Sequence, residues 1–523
     1  MSWLHTWSGL LLGWVLFAIF VTGTATYFKA EITQWMQPEL RRGGSPVDAA
    51  AAAWKGIETI APESTRWFVG LPDDRVSATT AFWQPGTGGK RSDSATLDPV
   101  TGEKITARDS RGGEFFYRFH FQLQLPHPWG RYLAGAAAMF MFVALISGVI
   151  THRQFFKEFF TFRPGKTSLR SFLDFHNVTA VLALPFYFMI SYSALVIFMG
   201  MYMPWGRQVL TDPQARPAAR GDAATTAKKS DAEKKTWVAP APVGPMLEEV
   251  ERQWGRKHPT VKRLDVADRG TEKMVVTFTR ADAGSISITD REQLRFNGAT
   301  GALLAEEKKA TGIATKVHGT FYGLHMARFA GPAMRWMFFV MGFFGSALVA
   351  TGLVMWTIKR RPKYTKAGRF SFGHGLVERL NIAAIAGFFV AIGAIFWANR
   401  LLPVGLTSRG DWEERVFLYT WAAMLLHTLV RPVMKAWREQ LWLGAMLFSA
   451  LPLVDAFTGP FFSRAWSDGN AAYLAFHATM LVIGAGLAMA AWKVSKLATK
   501  TKPPVTSSTK IKPPTEARLE EAI

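Results

Sequence analysis

The sequence predicts a predominantly α-helical polytopic membrane protein, with about eight transmembrane helices and two external α+β modules in a tandem repeat. Three observations predict it. Apolar residues make up 49% of the 523, with 20 Trp and 40 Phe, and they gather into long uninterrupted runs. Lys and Arg cluster at the ends of alternate runs, and an ordered series of features in the first part of the chain recurs in the second.

Crossing a hydrocarbon core of about 30 Å takes roughly 20 mostly apolar helical residues. Eight runs approach that length: 7–28, 132–151, 178–203, 333–356, 380–398, 416–430, 441–457 and 472–492, the sixth and seventh being short. The first lacks a basic start and exceeds the apolar part of a signal peptide, which predicts a retained anchor. A formal charge of +22 in a soluble chain would suggest nucleic-acid binding, but its placement points to the bilayer instead. "THRQFFKEFFTFRPGKTSLR" follows the second run, "KRRPKYTKAGR" the fourth, "RPVMKAWR" the sixth and "KVSKLATKTK" the eighth. Short basic loops stay cytoplasmic, so both termini are expected inside and the loops after the first and third runs outside. No nucleic-acid partner is expected. With no Cys, disulfides, thiolate metal sites and cysteine-ligated iron–sulfur clusters drop out together.

The repeat organises the rest. "HTWSGLLLGWVLFAIFVTG" opens at His5 and "HNVTAVLALPFYFMISYSA" at His176. Each leads to an external segment with a helical start, "PVDAAAAAWKGIETIAP" or "PVGPMLEEVERQWGRKHP", then alternating β-prone runs, "SATTAFWQP" or "KMVVTFTRAD". Turns follow in "LDPVTGEKI" and "FNGATGALL", where Gly102 and Gly301 suit positive φ. Both halves cross the bilayer in the same sense, which relates them by an axis along the membrane normal. The Ala-, Pro- and Lys-rich stretch near 211–244 reads as a flexible insertion, and 499–523 as a disordered tail.

Each half also carries two histidines seven residues apart just before its second span: His120 and His127, then His318 and His325. Eleven histidines are present, and all but His258 fall in or beside a predicted span. An ionisable group at membrane depth normally faces a cavity, a partner or a cofactor, although any single histidine at a span end is ordinarily an interfacial side chain bonded to water or a carbonyl. The distribution goes beyond that: His120, His127, His318 and His325 gather at the outer face, and His5, His152, His176 and His374 at the inner face. Pro126 makes a continuous helix through His120 doubtful, so His127 is the one expected on span two. Imidazole suits haem iron, zinc, copper or nickel, but the runs lack the carboxylates and thiolates that zinc or magnesium sites would add. Bis-histidine haem b needs only two imidazoles from facing helices and a flat apolar slot. Gly9, Gly13, Gly135, Gly148, Gly342 and Gly345 either admit a macrocycle or serve plain helix packing. Arg131, Arg153, Arg328 and Arg335 either hold propionates or anchor at the headgroups. Two clusters at opposite faces predict an electron path across the bilayer with two haems, and a third at most.

At this point the residues resemble a known family. "LHTWSGLLLGWVLFAIFVTGT", the two external hairpins, "GRYLAGAAAMFMFVALISGVITHR" and "MRWMFFVMGFFGSALVATGLVMW" are similar to the PepSY-associated transmembrane family, described as iron-regulated inner-membrane proteins. The resemblance implies an inner-membrane haem reductase of ferric siderophores, with PepSY-like modules in the periplasm. It implies histidine ligands at the starts of spans one and three, His5 and His176, and ahead of spans two and four, where His120 or His127 and His318 or His325 qualify. With His152, these are the cofactor-binding candidates, and no catalytic residue is assigned. The expected organisation is span one at 1–28, a PepSY-like module at 29–119, spans two and three with a basic loop at 120–203, and a second module at 204–317. Span four follows at 318–358, a basic loop at 359–379 and an appended helical bundle at 380–498. No Gly-rich nucleotide fingerprint is present, so the electron donor is expected to be a separate cytoplasmic reductase or a membrane quinol, and the acceptor a ferric siderophore or other ferric chelate. Two other functions compete: a membrane-anchored PepSY protein that binds a peptidase or chelate without redox work, and an iron or siderophore transporter, against which stands the lack of a broken helix with a charged midplane site. His427 and His477 are expected as satisfied bundle histidines, and Asp455 and Glu378 as interfacial acids.

Overall fold

The computed structural model describes residues 1–40, 46–84, 93–151, 168–203, 237–255, 261–280, 285–289, 292–304, 312–366 and 371–500. All but the first two residues of the expected tail, most of the expected insertion, and His152, Arg153 and His258 lie outside them. Repetition in the sequence is repetition in the fold. The first apolar run forms α1 (Ser2–Leu11) and α2 (Gly13–Thr26), which meet at 66°. The third forms α7 (Ser168–Leu182) and α8 (Leu184–Tyr202). The interruptions fall at Leu12 (φ −115°, ψ 10°) and Ala183 (φ −116°, ψ 19°), 171 positions apart, as are His5 and His176. Pro185, at the start of α8, has no N–H for the preceding turn. On the other side Gly13 brings α2 against Leu353, which a Cβ would meet at 2.7 Å. The first span is therefore bent at Leu12, but no charged side chain lies at the break, so the expected lack of a broken helix with a charged midplane site is not contradicted.

Between these spans run α3 (Lys29–Met36), α4 (Pro46–Ile60), strands β1 (Arg66–Gly70), β2 (Thr79–Gln84) and β3 (Asp93–Leu97), then α5 (Glu114–Gln122) and α6 (Trp129–Thr151). The second half repeats this as α9 (Val243–Trp254), β4 (Val261–Ala267), β5 (Val275–Arg280), β6 (Gln293–Asn297), α10 (Ile313–Met326) and α11 (Pro332–Lys366). The two segments expected outside do not stand apart as two modules. Antiparallel pairing of β1 with β4 joins two three-stranded meanders into one sheet of order β3-β2-β1-β4-β5-β6, covering the edges that each alone would expose. One apolar core serves both halves, with Ala53 and Ile57 of α4 and Met246 and Val250 of α9 packed on strand residues such as Val69 and Val266. Trp67 is fully buried there, edge-on to Trp54 at 5.1 Å, with the Arg269 guanidinium 4.5 Å from its ring. Trp67→Ala is expected to destabilise the sheet by about 3–5 kcal/mol, read as proteolysis of 46–107 under conditions where the native chain resists.

Glu31 ties the sheet to the bundle. It accepts hydrogen bonds from Arg75, beyond β1, at 2.9 Å and from Arg335, on α11, at 3.0 Å. Burial raises its carboxyl, but the two guanidiniums outweigh burial and leave it below the ordinary range. The stability this lends is present above the unfolded value of about 4.3 and is lost as pH falls through the lower folded value. The thermal deficit of Glu31→Gln relative to the native chain at pH 7 is thus expected to shrink on acidification.

The rest of the chain forms α12 (Phe372–Leu401), α13 (Arg409–Val430), α14 (Val433–Ser449), α15 (Leu451–Thr458), α16 (Phe461–Ser467) and α17 (Ala471–Lys500). Among the described residues, five helices are long and apolar enough to cross a membrane, or seven elements if each bent pair, α1 with α2 and α14 with α15, counts as one. The eight expected spans are not reached, because every spanning-length window of α13 contains Glu413, Glu414 and Arg415. The protein is thus mainly helical, multi-pass in character, with one small antiparallel sheet.

Candidate functional site

α5 and α10 are short helices that end against the sheet-side halves of α2 and α8. Each closes in a left-handed residue, Leu123 (φ 55°) or Ala327 (φ 48°), and turns back into the next span. Just before these turns stand His120 and His325. Their rings face one another with centroids 5.8 Å apart and planes at 37°. His120 Nδ1 bonds the Ile19 carbonyl at 2.9 Å. His325 Nδ1 lies 2.8 Å from Ser193 Oγ, whose own proton goes to the Met189 carbonyl, so Nδ1 is the donor there too. A carbonyl at Nδ1 fixes that nitrogen as the donor and leaves the lone pair on Nε2, the arrangement of a metal-binding imidazole.

The pair lies in a cavity of about 850 Å³, lined also by Tyr117, Tyr322, Arg131 and Arg328. Tyr117 and Tyr322 each precede their histidine by three residues and lie close to one another on the cavity wall. Gly23 makes the approach possible: a Cβ there would lie 2.5 Å from His120 Nδ1. Two imidazoles bound opposite one another on a metal, with bonds of about 2 Å, have ring centres roughly 6 Å apart, and cofactor cavities run to about 300–1,000 Å³. Two lone pairs, a mainly apolar cavity of this size and cations on its wall, Arg131 and Arg328 among them, therefore suit a bis-imidazole haem. No group of three or more His, Cys, Asp and Glu suited to a metal ion occurs among the described residues.

The other sequence candidates divide clearly. His127 is exposed, in the turn between α5 and α6 rather than on span two. His318 is half-buried on α10, against Tyr322. Neither joins the pair. At the end of the bundle away from the sheet, His5 Nδ1 bonds the Ala144 carbonyl at 2.9 Å, and His176 Nδ1 bonds Thr351 Oγ1 at 3.0 Å. A glycine lies beside each ring: a Cβ on Gly148 would meet His5 Cε1 at 3.1 Å, and one on Gly352 would meet His176 Cε1 at 3.4 Å. Of the other glycines, Gly13, Gly135, Gly342 and Gly345 serve close helix packing, against Leu353, Tyr202, Thr24 and Phe20, while Gly9 has no close neighbour. Arg131 and Arg328 reach the cavity, whereas Arg335 is committed to Glu31.

Two buried ion pairs were not legible in the sequence. Asp455 is fully buried rather than interfacial: it accepts from Arg400 at 2.6 Å and from Tyr473 Oη at 2.9 Å, with His477 Nε2 at 3.1 Å. Arg400 also donates to the Trp35 carbonyl at 2.7 Å. Arg409 pairs with Glu413 at 2.6 Å, and Glu413 accepts from Ser110 Oγ at 2.8 Å and the Arg111 N–H at 3.0 Å. Glu378 is largely buried as well. His427 pairs with Glu439 at 3.0 Å.

Residues 2–359 match the family described as PepSY-associated TM region. The chain is also similar to an uncharacterized protein of Pseudomonas aeruginosa, PA4219, at 22% identity over 386 residues, covering 71% of this chain and 92% of that one.

Proposed function

The chain belongs to the PepSY-associated TM region family, and on that premise we propose that it is a haem b electron-transfer protein of a bacterial inner membrane that reduces ferric siderophores or other ferric chelates in the periplasm. The facing imidazoles of His120 and His325 carry this reading. They would hold one haem on the sheet side, with Arg131 and Arg328 near enough to the cavity to take its propionates. His5 and His176, the repeat-related pair on the opposite side, would hold a second. Haem bound at these places supplies reversible one-electron iron chemistry. The protein's own part is orientation: the Nδ1 bonds to Ile19, Ser193, Ala144 and Thr351 fix each ring and its lone pair. With both termini cytoplasmic the sheet is periplasmic, the side on which a ferric chelate is met.

A reduced-minus-oxidised spectrum of the purified chain, expressed with ample porphyrin supply, is expected to show b-type Soret and α bands. A colourless preparation overturns the proposal. A subtler check is Gly23→Ala, whose added methyl displaces His120 from the Ile19 carbonyl. Losing such a ligand-orienting bond is expected to weaken haem retention about 10–100-fold, seen as haem transfer to apomyoglobin from one of the two sites.

A further inference from the structure

At the end of the bundle away from the sheet, α11 and α12 enclose three buried polar atoms that have no hydrogen-bond partner among the described residues: both ring nitrogens of His374 and Nε1 of Trp356. His374 is 1% exposed. An imidazole buried in this way forgoes the bonds it would make to water, a cost that native proteins tolerate where a ligand restores them. Its surroundings specify the ligand. The ring lies nearly parallel to the Trp356 indole, at 6.1 Å and 21°, and Tyr364 covers it at 4.9 Å. Glu378 Oε1 is 3.4 Å from His374 Nε2, without a hydrogen bond between them, and 3.2 Å from Arg361, which is half-exposed at the bundle end. This is a stack of flat rings with an acceptor nitrogen and a carboxylate at one edge, leading outward.

We propose that this is a binding site for a membrane quinol, whose ring takes the place beside His374 that Tyr364 now fills and which donates a hydroxyl to the imidazole, while the Trp356 indole, covered by Arg360 at 4.2 Å, backs the stack. The inference rests on the redox reading above and names its electron donor. Its place fits that role. Trp356 is one helical turn beyond Gly352, the residue beside the His176 ring, so a ring stacked here adjoins the inner histidine of the second half. Access fits as well: Pro362, inside α11, removes one N–H from the last turn, so the turn bearing Tyr364 is held by fewer backbone bonds. A nicotinamide or flavin nucleotide would need a phosphate cradle in addition, whereas an apolar quinol needs only the rings and a proton acceptor. In the balanced reaction one quinol leaves as quinone, giving two electrons that reduce two ferric chelates to ferrous and two protons. His374 takes the protons from the hydroxyls and Glu378 passes them outward past Arg361. The site lies largely beyond the family match, which ends at residue 359.

The test uses the purified full-length protein in nanodiscs with decylubiquinol as the donor. Anaerobic mixing is expected to reduce the haem of the native protein. His374→Ala and Glu378→Gln are each expected to slow that reduction at least about 100-fold, the contribution of a positioned proton acceptor, with haem content and the dithionite-reduced spectrum unchanged. An azidoquinone photolabel is expected on residues 352–378, displaced by excess decylubiquinone. Labelling elsewhere only, loss of a haem in His374→Ala, or native haem that dithionite reduces and decylubiquinol does not, overturns the assignment. A preparation without haem overturns the redox reading instead, and the photolabel then still decides the site.

Discussion

His120→Ala and His325→Ala are each expected to lower haem content from about two per chain to about one, whereas His127→Ala and His318→Ala leave it unchanged. The contrast is sharp because all four side chains are histidines in the same short stretches of sequence, and only position separates them. His120 and His325 face one another across the cavity with Nδ1 already bonded, so removing either leaves the other with no opposite partner. His127 is exposed in a turn, and His318 lies two helical turns back along α10. Pyridine haemochrome quantitation of the four purified variants decides it. Retention of full haem in both His120→Ala and His325→Ala would remove the basis of the proposed function.

Which histidine of each pair faces the axis was not legible because the answer lies in two backbone torsions. Spacing by seven puts two side chains on one helix face only if the helix continues. In the first half it does not: Leu123 turns left-handed three residues after His120 and carries His127 away. In the second half the helix does continue to Met326, and its C-terminal part meets α8 through Phe321, on Tyr192, and His325, on Ser193. Gly23 and Ile19 gave no signal either, since a glycine and an isoleucine in an apolar run read as packing until the ring against them is known. The repeat itself was legible, because duplicated apolar runs, hairpin glycines and histidines keep their order however the halves pack. Its consequence for the sheet was half legible. Three strands with a helix on one face leave an edge open, but whether the two edges meet depends on the axis relating the halves, which no local pattern encodes.

Asp455→Ala is expected to destabilise the appended bundle by about 3–5 kcal/mol, because it strands the Arg400 guanidinium without a counter-ion at a fully buried position. In detergent this reads as a large fall in the unfolding midpoint at a fixed scan rate, the measure that suits irreversible unfolding. The double variant Arg400→Met with Asp455→Leu is expected to recover much of the loss, since a buried pair offsets mainly its own desolvation and two apolar side chains incur none. A double variant no better than the single would mean that Arg400 matters for more than Asp455, and its bond to the Trp35 carbonyl marks where. Arg400 and Glu413 reach out of the appended helices to opposite ends of the sheet-bearing segment: Arg400 to α3 before the strands, Glu413 to Ser110 and Arg111 after them. Three residues past Arg111, α5 begins, and its Phe115, Phe116 and Phe119 pack on Phe417, Phe396 and Phe388. The helix that presents His120 is therefore held from behind by α12 and α13. A loosened bundle should reach the imidazole pair as well, so Asp455→Ala is expected to release haem from the His120 site at a lower temperature than from the site at His5 and His176.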